Sequence, residues 1–281
     1  MNMQITGWPV GEPPKHALAD ELRSPGPCLL DAILEPLAKP GRDSDSRVTL
    51  PAATIVMTPD GSPIRSVLTG RRVMVTGFYI SRKAGRALPY EGMNELALLK
   101  RSEVDTSVVD YRSQPFRFEF VINGAKRIYI ADCVRLLDDG TVEVVEVKGR
   151  LRQLSSPEYA EKLAAVRDVC ESLGWRFRVL GRQQLFEPHI VYANIDLIQS
   201  RRMVKFDQVQ AYQAVELLER GAGETTLGDL SDVLGGEPRG LAIAQAMMVR
   251  RLVAIDLNGL LTAESQVAAI TSRSLAGRAV R

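Results

Sequence analysis

Residues 111–150 constrain the fold of this chain more than any other stretch. Residues 116–122 alternate between polar and apolar types and are rich in Phe, Val and Ile, as in a half-buried strand. Asn123-Gly124 comes next and predicts a hairpin, because both central positions of the favoured two-residue turn require positive φ. Asp138-Asp139-Gly140 marks a second turn. The stretch therefore predicts three antiparallel strands, at residues 116–122, 126–137 and 141–148.

Two carboxylates and a lysine interrupt the apolar faces of these strands. Because side chains alternate between the two faces of a strand, Asp132 is predicted on one face of the second strand, and Glu146 and Lys148 on one face of the third. Their apolar neighbours on those faces are Ile128, Ile130, Val134 and Leu136 in the second strand and Val142 and Val144 in the third. A buried charge is costly unless it is paired or binds a metal, so these charged residues need partners.

A divalent metal site is one explanation for this pattern. Mg²⁺ prefers oxygen ligands and needs only one or two carboxylates, which Asp132 and Glu146 can supply from adjacent strands. Lys148 points to the same side as Glu146, where it can orient or deprotonate a water or neutralise a phosphate. The alternative is a strand-edge salt bridge between Glu146 and Lys148, and the residues alone leave both interpretations open.

Composition narrows the possible chemistry. The chain has 281 residues, a net charge of +2, three cysteines and two histidines. The widely spaced Cys28, Cys133 and Cys170 favour a reducing compartment over a zinc site, and two histidines make a His-based metal site a poor fit. No apolar run reaches the ~18 residues that span a membrane, and the N-terminus lacks the apolar core of a signal peptide. We therefore expect a cytoplasmic protein without a membrane partner.

The N-terminal part combines an extension with a basic loop. Residues 1–70 are poor in periodicity and rich in Pro, Gly, Arg and Asp, which predicts a partly irregular extension. Residues 71–90 contain a short strand and then Arg82, Lys83 and Arg86. These side chains suit phosphate contact, since this needs only Lys or Arg beside a groove, but a solvated loop explains them equally well.

Residues 91–100 predict a helix that carries two glutamates. Glu91 and Glu95 are four positions apart and would share one helical face. Either can aim a third carboxylate at the strands. Glu95 lies deeper among apolar neighbours and is the better ligand candidate, whereas Glu91 fits a solvent-exposed position.

A crossover unit follows the third strand. Ser156 and Pro157 predict the start of a helix that runs to about residue 173, and Gly174 predicts its end. Residues 175–180 predict a strand parallel to its predecessor, because a strand, helix and strand normally form a right-handed crossover. The element order is then αβββαβ in a mixed sheet. Arg150 and Arg152, just after the third strand, suit contact with a DNA backbone or with solvent.

The C-terminal part changes character. Residues 186–204 predict a partly helical connector, and residues 205–270 predict three short helices followed by strands at 253–257 and 260–262. This order is typical of a winged helix, which binds DNA in some proteins and proteins in others. The third helix is largely apolar and carries only Arg239, Arg250 and Arg251, which favours protein docking or an accessory DNA role. Residues 271–281 predict a flexible tail.

Taken together, these motifs resemble the TnsA-like endonuclease subunits of heteromeric transposases, within the PD-(D/E)xK nuclease superfamily. The resemblance covers about residues 70–180, and the nuclease domain is predicted at residues 71–185. It rests on VTGFYISRKAGRALPYEGMNELALL, on VVDYRSQP, on the strand with Asp132 and on the Val-Glu-Val-Lys that ends at Lys148. The C-terminal part is similar to the family's second domain, more loosely. The sequence departs from the family pattern at Gly92, Ala131 and Cys133, and none of these departures removes a ligand.

The resemblance implies a restriction-endonuclease-like core and a residue-by-residue assignment. Glu95, Asp132 and Glu146 would be catalytic carboxylates and metal ligands, joined by the Val147 backbone carbonyl, and Lys148 would be the catalytic lysine. Gln114 in VVDYRSQP would join the basic residues in contacting DNA. The implied cofactor is Mg²⁺ or Mn²⁺, with one or two ions per site.

The resemblance also implies partners. The chain would cut the 5′ strands at transposon ends, beside a DDE-type transposase that cuts the 3′ ends and an AAA+ ATPase that contacts the C-terminal domain, in the nucleoid of a bacterial cell. Two alternatives stay open: a stand-alone nuclease of the same superfamily in restriction or repair, and a non-catalytic adaptor that docks the transposase and the ATPase.

Overall fold

The computed structural model describes residues 33, 46–49, 53–58, 61–65, 74–149, 156–221 and 223–270. They form a mixed α/β structure of sheets flanked by helices. The strands are β1 (Ser46–Thr49), β2 (Thr54–Met57), β3 (Thr76–Ile80), β4 (Ala87–Glu91), β5 (Val108–Ser113), β6 (Phe116–Ile122), β7 (Ala125–Ile130), β8 (Cys133–Leu137), β9 (Val142–Lys148), β10 (Arg176–Gly181), β11 (Val253–Ile255) and β12 (Val267–Ala269). The helices are α1 (Met93–Val104), α2 (Pro157–Ser172), α3 (Arg182–Phe186), α4 (His189–Ser200), α5 (Gln208–Arg220), α6 (Leu227–Val233) and α7 (Arg239–Val249). Within these residues, no helix has the length and apolar character to cross a membrane.

A mixed four-stranded sheet with the order β10-β9-β8-β5 forms the centre of the first half. β5, β8 and β9 pair antiparallel, and β10 returns through α2 to lie parallel to β9. The sequence α1-β5-β8-β9-α2-β10 therefore follows the predicted αβββαβ order. The first strand was assigned to the wrong segment, however, because β5 takes that place and β6 and β7 are inserted after it.

The inserted strands belong to a second four-stranded sheet with the order β1-β2-β6-β7. The turn prediction between β6 and β7 is confirmed, since Asn123 and Gly124 both have positive φ. The two sheets and α2 enclose a shared apolar core, in which Phe116 and Phe118 of β6 pack against Tyr129 of β7.

The single strand predicted at residues 126–137 is wrong, because the chain leaves one sheet and enters the other at Ala131 and Asp132. The break also shifts the alternation of faces. Tyr129, only 3% exposed, points into the shared core, whereas Ile128 is 48% exposed. Val134 and Leu136 of β8 then face the same core as Tyr129, so the five residues predicted on one face do not share it.

Helix α1 covers the opposite face of the mixed sheet. Leu98 and Leu99 pack in a second core with Tyr111 of β5 and Val145 of β9, which the β3–β4 hairpin completes. The helix begins at Met93 after Gly92, whose φ of 85° suits glycine. Glu91 is thus the last residue of β4, and the prediction that it shares a helical face with Glu95 is wrong.

The second half contains α4 to α7 and the β11–β12 hairpin. Its core joins Leu218 of α5, Leu230 of α6 and Met247 of α7, and it includes Val104 from the end of α1. The predicted return strand at residues 260–262 is wrong. Leu260 there is 74% exposed, whereas Val267 of β12 is 2% exposed and pairs with Ile255, so burial selects the later segment.

Candidate functional site

The break between the two sheets places Asp132 against the end of β9. One carboxylate oxygen of Asp132 accepts a hydrogen bond from the backbone N–H of Val147, with a nitrogen–oxygen distance of 2.7 Å. Val147 lies between Glu146 and Lys148, the last residues of β9. The two strand carboxylates and the lysine therefore meet where β8 and β9 lie side by side, as the sequence predicted.

Glu146 is buried and held by three groups. The hydroxyl of Tyr129 donates to its Oε2 at 2.7 Å, and the hydroxyl of Tyr159 donates to its Oε1 at 2.6 Å. The Lys148 ammonium lies 2.5 Å from the same Oε1. The strand-edge salt bridge considered from the sequence is thus present, and it forms part of a larger polar cluster.

The environment of Asp132 opposes its negative charge. Burial raises the pKa of this carboxyl well above its usual range, and the neighbouring charges of Glu146 and Glu95 raise it further. The Val147 hydrogen bond and the charge of Lys148 act in the opposite direction and do not offset them. A carboxylate in such a place gains from a nearby cation, which would relieve the repulsion between the acids.

Helix α1 contributes Glu95 in its first turn. The Glu95 carboxylate accepts a hydrogen bond from the Glu91 backbone N–H at 2.8 Å, and its charge acts on Asp132. Glu91, by contrast, forms an ion pair with Arg65 at 2.8 Å. Of the two glutamates, Glu95 is the one whose charge reaches the strand carboxylates.

The donor set suits a magnesium ion with two protein carboxylates better than a closed metal cage. In the part of the chain that the structure describes, no three His, Cys, Asp or Glu side chains form a ready-made metal group. Mg²⁺ usually takes one or two carboxylates and fills its octahedron with waters and phosphate oxygens. Asp132 and Glu146 meet that requirement, and the carbonyl of Val147 remains a predicted ligand.

Lys148 and a second lysine lie over one aromatic ring. The ammonium groups of Lys148 and Lys162 are 4.7 and 4.9 Å from the centroid of the Tyr159 ring. Burial and the charge of Glu146 raise the pKa values of the Tyr129 and Tyr159 hydroxyls, so both stay hydrogen-bond donors. Two ammonium groups therefore lie beside the Glu146 carboxylate, and one of them, Lys148, is paired with it.

Three residues of this cluster were absent from the sequence prediction. Tyr129 was not considered, because the alternation was assumed to continue through residue 131, where the structure breaks it. Tyr159 and Lys162 reach the site only because α2 folds back over the sheet. The capping and crossover signals predicted that helix but not which of its residues face the carboxylates.

The residues predicted to contact DNA have different surroundings. Arg82 is exposed. The Lys83 ammonium donates to the carbonyl oxygens of Ser102 and Asp105 at the end of α1, at 3.0 and 2.5 Å, and burial lowers its pKa to about 7. Arg86 donates to the Gly61 carbonyl at 3.0 Å.

Gln114 is internal. Its side chain is 0% exposed and accepts a hydrogen bond from Arg65, and its backbone N–H donates to the Asp132 carbonyl. This leaves Gln114 no surface for a DNA backbone. Arg150 and Arg152 lie outside the described residues.

The mixed sheet brings two carboxylates and a lysine together at adjacent strand ends, and a helix carboxylate lies beside them. This arrangement is compatible with a nuclease core. Residues 105–181 match the family described as TnsA-like endonuclease N terminal. The chain therefore carries a TnsA-like endonuclease domain, and the resemblance found in the sequence is confirmed over this segment. The segment contains Asp132, Glu146 and Lys148, whereas Glu95 precedes it. No curated protein matches the chain.

Proposed function

We propose that this chain is the DNA-cleaving subunit of a transposase and hydrolyses phosphodiester bonds with a divalent metal ion. The observation that carries the proposal is the meeting of Asp132, Glu146 and Lys148 where the two sheets separate. A largely buried aspartate beside two glutamates is unfavourable, and the charge of Lys148 offsets this only in part. The TnsA-like segment supplies the class of reaction.

Each residue then has a separate role. Asp132 and Glu146 would hold Mg²⁺ or Mn²⁺, with Glu95 as a further carboxylate ligand. A bound metal polarises the scissile phosphate and lowers the pKa of a coordinated water. Lys148 places a positive charge at the same edge, where it can orient the attacking water or neutralise charge on the phosphate. Tyr129 and Tyr159 fix the Glu146 carboxylate by donating to its two oxygens.

We further propose that the chain cuts the 5′ strands at transposon ends and that its partners select the position of the cut. The partners would be a DDE-type transposase and an AAA+ ATPase. This assignment rests on the resemblance. It agrees with a site whose described residues supply polar groups for a phosphate and a metal but no evident set of groups for reading bases.

The C-terminal part is proposed to be a winged helix that docks a protein. Three helices and a hairpin occur in the order expected for that domain, and Thr226 bridges to Gln266 beside the hairpin. The third helix, α7, is largely buried. After it, Arg250 donates to the Val204 carbonyl and Arg251 to the Thr106 carbonyl. A helix engaged in this way is poorly placed to enter a DNA groove, which favours the docking role.

The test is strand cleavage by the assembled transposase. Asp132→Ala and Lys148→Ala should each abolish Mg²⁺-dependent 5′ cutting and leave the thermal unfolding of the chain cooperative. Asp168→Ala, which changes an exposed aspartate on α2, is the matched control and should cut normally. Full cleavage by Asp132→Ala would refute the site assignment.

The same experiment separates the two alternatives. Metal-dependent cutting by the purified chain alone would favour a stand-alone nuclease. Failure of the fully assembled wild-type complex to cut in Mg²⁺ or Mn²⁺ would favour the non-catalytic adaptor. The latter has one observation in its favour, since Glu146 is already bound by Lys148 and two tyrosines.

A further inference from the structure

The tip of the β3–β4 hairpin meets the turn after α4 in a group of basic side chains. Arg202 donates to the carbonyl of Ile80 at 2.7 Å, and its guanidinium lies 4.7 Å from the centroid of the Tyr79 ring. Arg250 donates to the Val204 carbonyl at 2.6 Å and lies 4.3 Å from the Phe206 ring centroid. Both guanidiniums are therefore fixed in place by carbonyl oxygens and aromatic rings.

Arg82 stands beside these fixed arginines. Burial, with a smaller contribution from the positive charge of Arg82, lowers the pKa of Arg250 to about 10. Arg82 also follows Ile80, whose carbonyl binds Arg202, by two residues. Arg201 and Lys205 lie in the same turn as Arg202, and the side chains of Arg82, Arg201 and Lys205 are exposed. We call Arg82, Arg201, Arg202, Lys205 and Arg250 the junction patch.

The junction patch is not neutralised by acids. Among the described residues, none of its five members forms an ion pair with a carboxylate. Acids close to the patch in sequence or in the fold are engaged elsewhere: Asp196 of α4 pairs with Lys100, and Asp207 accepts a hydrogen bond from the Gln210 backbone N–H. Glu103 is 0% exposed and engaged by internal donors, and Asp105 accepts from Ser107. Excess positive charge at a surface attracts a polyanion.

We propose that the junction patch binds the phosphate backbone of the DNA duplex that is cut at the Asp132 site. This inference rests on the proposed function, because that function supplies duplex DNA as the substrate. It also replaces part of the sequence prediction, since Lys83 and Arg86 of the basic loop are used internally and Arg82 acts with residues from a distant segment.

Helix α1 connects the candidate active site to the hairpin tip that carries Arg82. The hairpin tip is tied to the C-terminal end of α1, where Lys83 donates to the carbonyls of Ser102 and Asp105. Glu95 lies at the other end of the same helix. The ten residues from Glu95 to Asp105 correspond to about 15 Å at the helical rise of ~1.5 Å per residue. At ~3.4 Å per base pair this length corresponds to about four or five base pairs, so a duplex cut near Glu95 and lying along α1 would extend toward the hairpin tip.

The test is the salt dependence of DNA binding, measured by fluorescence anisotropy with the full chain, a labelled duplex and no divalent metal. In the triple variant Arg82→Gln, Arg201→Gln and Lys205→Gln, we expect at least a tenfold loss of affinity at low salt. The slope of log K against log salt should become shallower by about 2–3, since each phosphate contact contributes about 0.9. Unchanged affinity and slope would overturn the inference.

Two matched variants remove the same kind of charge elsewhere. Arg220→Gln lies on α5, where Arg220 pairs with Glu216, and should leave DNA binding unchanged. Arg239→Gln lies at the exposed start of α7, the helix in the recognition position. A loss as large for either control as for the triple variant would assign binding to general charge or to α7 and refute the patch. If the triple variant lost binding to poly-glutamate but bound the duplex as wild type does, the DNA proposal would be refuted, and the junction patch would instead bind an acidic protein segment.

The inference and the proposed function can fail separately. If the wild-type complex cuts no DNA but the triple substitution weakens DNA binding as expected, DNA binding by the junction patch is supported and the nuclease assignment is refuted. If the complex cuts DNA and the triple variant binds and cuts as wild type does, the nuclease assignment remains and the patch is refuted. Thermal unfolding of the triple variant checks that its fold is retained.

Discussion

Helix α1 carries a glutamate near each end, and the two have opposite surroundings. Glu103, near the C-terminal end, is fully buried and accepts hydrogen bonds from the hydroxyls of Ser81 and Tyr111 and from the Arg82 backbone N–H. Glu95, in the first turn, is half-buried, and its charge acts on Asp132, which also faces Glu146. The C-terminal end of the helix thus holds Glu103 among hydrogen-bond donors, whereas the N-terminal end holds Glu95 near two other carboxyl groups.

This difference separates a structural carboxylate from a candidate catalytic one. Three donors compensate Glu103 for the loss of water, so its burial can stabilise the fold. Asp132 receives one backbone hydrogen bond and faces two other acids, and Lys148 offsets their repulsion only in part, so a bound metal ion would make its burial more favourable. Glu103 and Asp132 are both shielded from solvent, so burial alone does not identify a functional acid. The groups around the carboxylate, donors for Glu103 and acids for Asp132, distinguish the two roles.

The largest expected effect is on cleavage by Asp132→Asn. This variant keeps the shape of the side chain but removes its charge. We expect cutting to fall by about a thousandfold or more, or at least ~4 kcal/mol in the activation barrier. The free energy of unfolding should stay the same or rise, because the repulsion from Glu95 and Glu146 is relieved. Initial cleavage rates and urea unfolding measure the two effects, and a variant that is both active and destabilised would contradict the comparison.

Glu103→Ala should produce the opposite result. The substitution leaves the Tyr111 and Ser81 hydroxyls and the Arg82 N–H without their acceptor in the core. We expect a loss of at least about 3 kcal/mol in the free energy of unfolding, since each of three hydrogen bonds to a charged group contributes ~1.5–3 kcal/mol and losses within one network do not add fully. Cleavage per folded molecule should not change. Glu103→Gln, which keeps one acceptor oxygen, is the control and should be less destabilised in urea unfolding.

Magnesium should stabilise the acid end of α1 without any DNA. In Mg²⁺ at 10–100 times its dissociation constant, binding to the folded state adds about 1.4–2.7 kcal/mol of stability. We expect a higher thermal midpoint for the wild-type chain and none of this increase for Asp132→Asn. Sodium chloride at equal ionic strength is the control for screening. An equal Mg²⁺ response in the two proteins would place the metal elsewhere.

Local signals in the sequence predicted much of the fold. The Asn123-Gly124 turn, the end of α2 at Gly174 and the parallel return of β10 all depend on chemistry within a few residues of the element. The approach of Asp132 to the end of β9 was likewise expected, because the two segments were predicted to be adjacent antiparallel strands, although the alternation assumed for Asp132 is broken in the structure. These features follow from backbone preferences and from the period of the side chains, which a single sequence records.

Features that depend on contacts distant in sequence were not predicted. The break at Ala131 serves two sheets at once, and an alternating pattern does not reveal which strand pairs with which sheet. The internal role of Lys83 requires the end of α1 to lie beside the hairpin tip. Tyr159 likewise enters the cluster only through the packing of α2 on β9. Such positions are determined by tertiary packing, which a local sequence pattern does not reveal.

The surroundings of Glu146 are intermediate between those of Asp132, which faces acids, and those of Glu103, which is bound by donors. Tyr159→Phe tests which of the two Glu146 resembles more. Glu146 faces the acid Asp132 and yet receives donors from two tyrosines and Lys148. The variant removes one half-buried donor, so we expect the free energy of unfolding to fall by only about 0.5–1.5 kcal/mol. Cleavage should change less than tenfold, and half-maximal activity should need less Mg²⁺, because Glu146 loses a competitor of the metal. Tyr212→Phe, at an exposed position on α5, is the control. A hundredfold loss of cleavage would instead mean that the Tyr159 hydroxyl takes part in the chemistry. Glu146 would then be a catalytic carboxylate like Asp132, without the partly structural role that Glu103 represents.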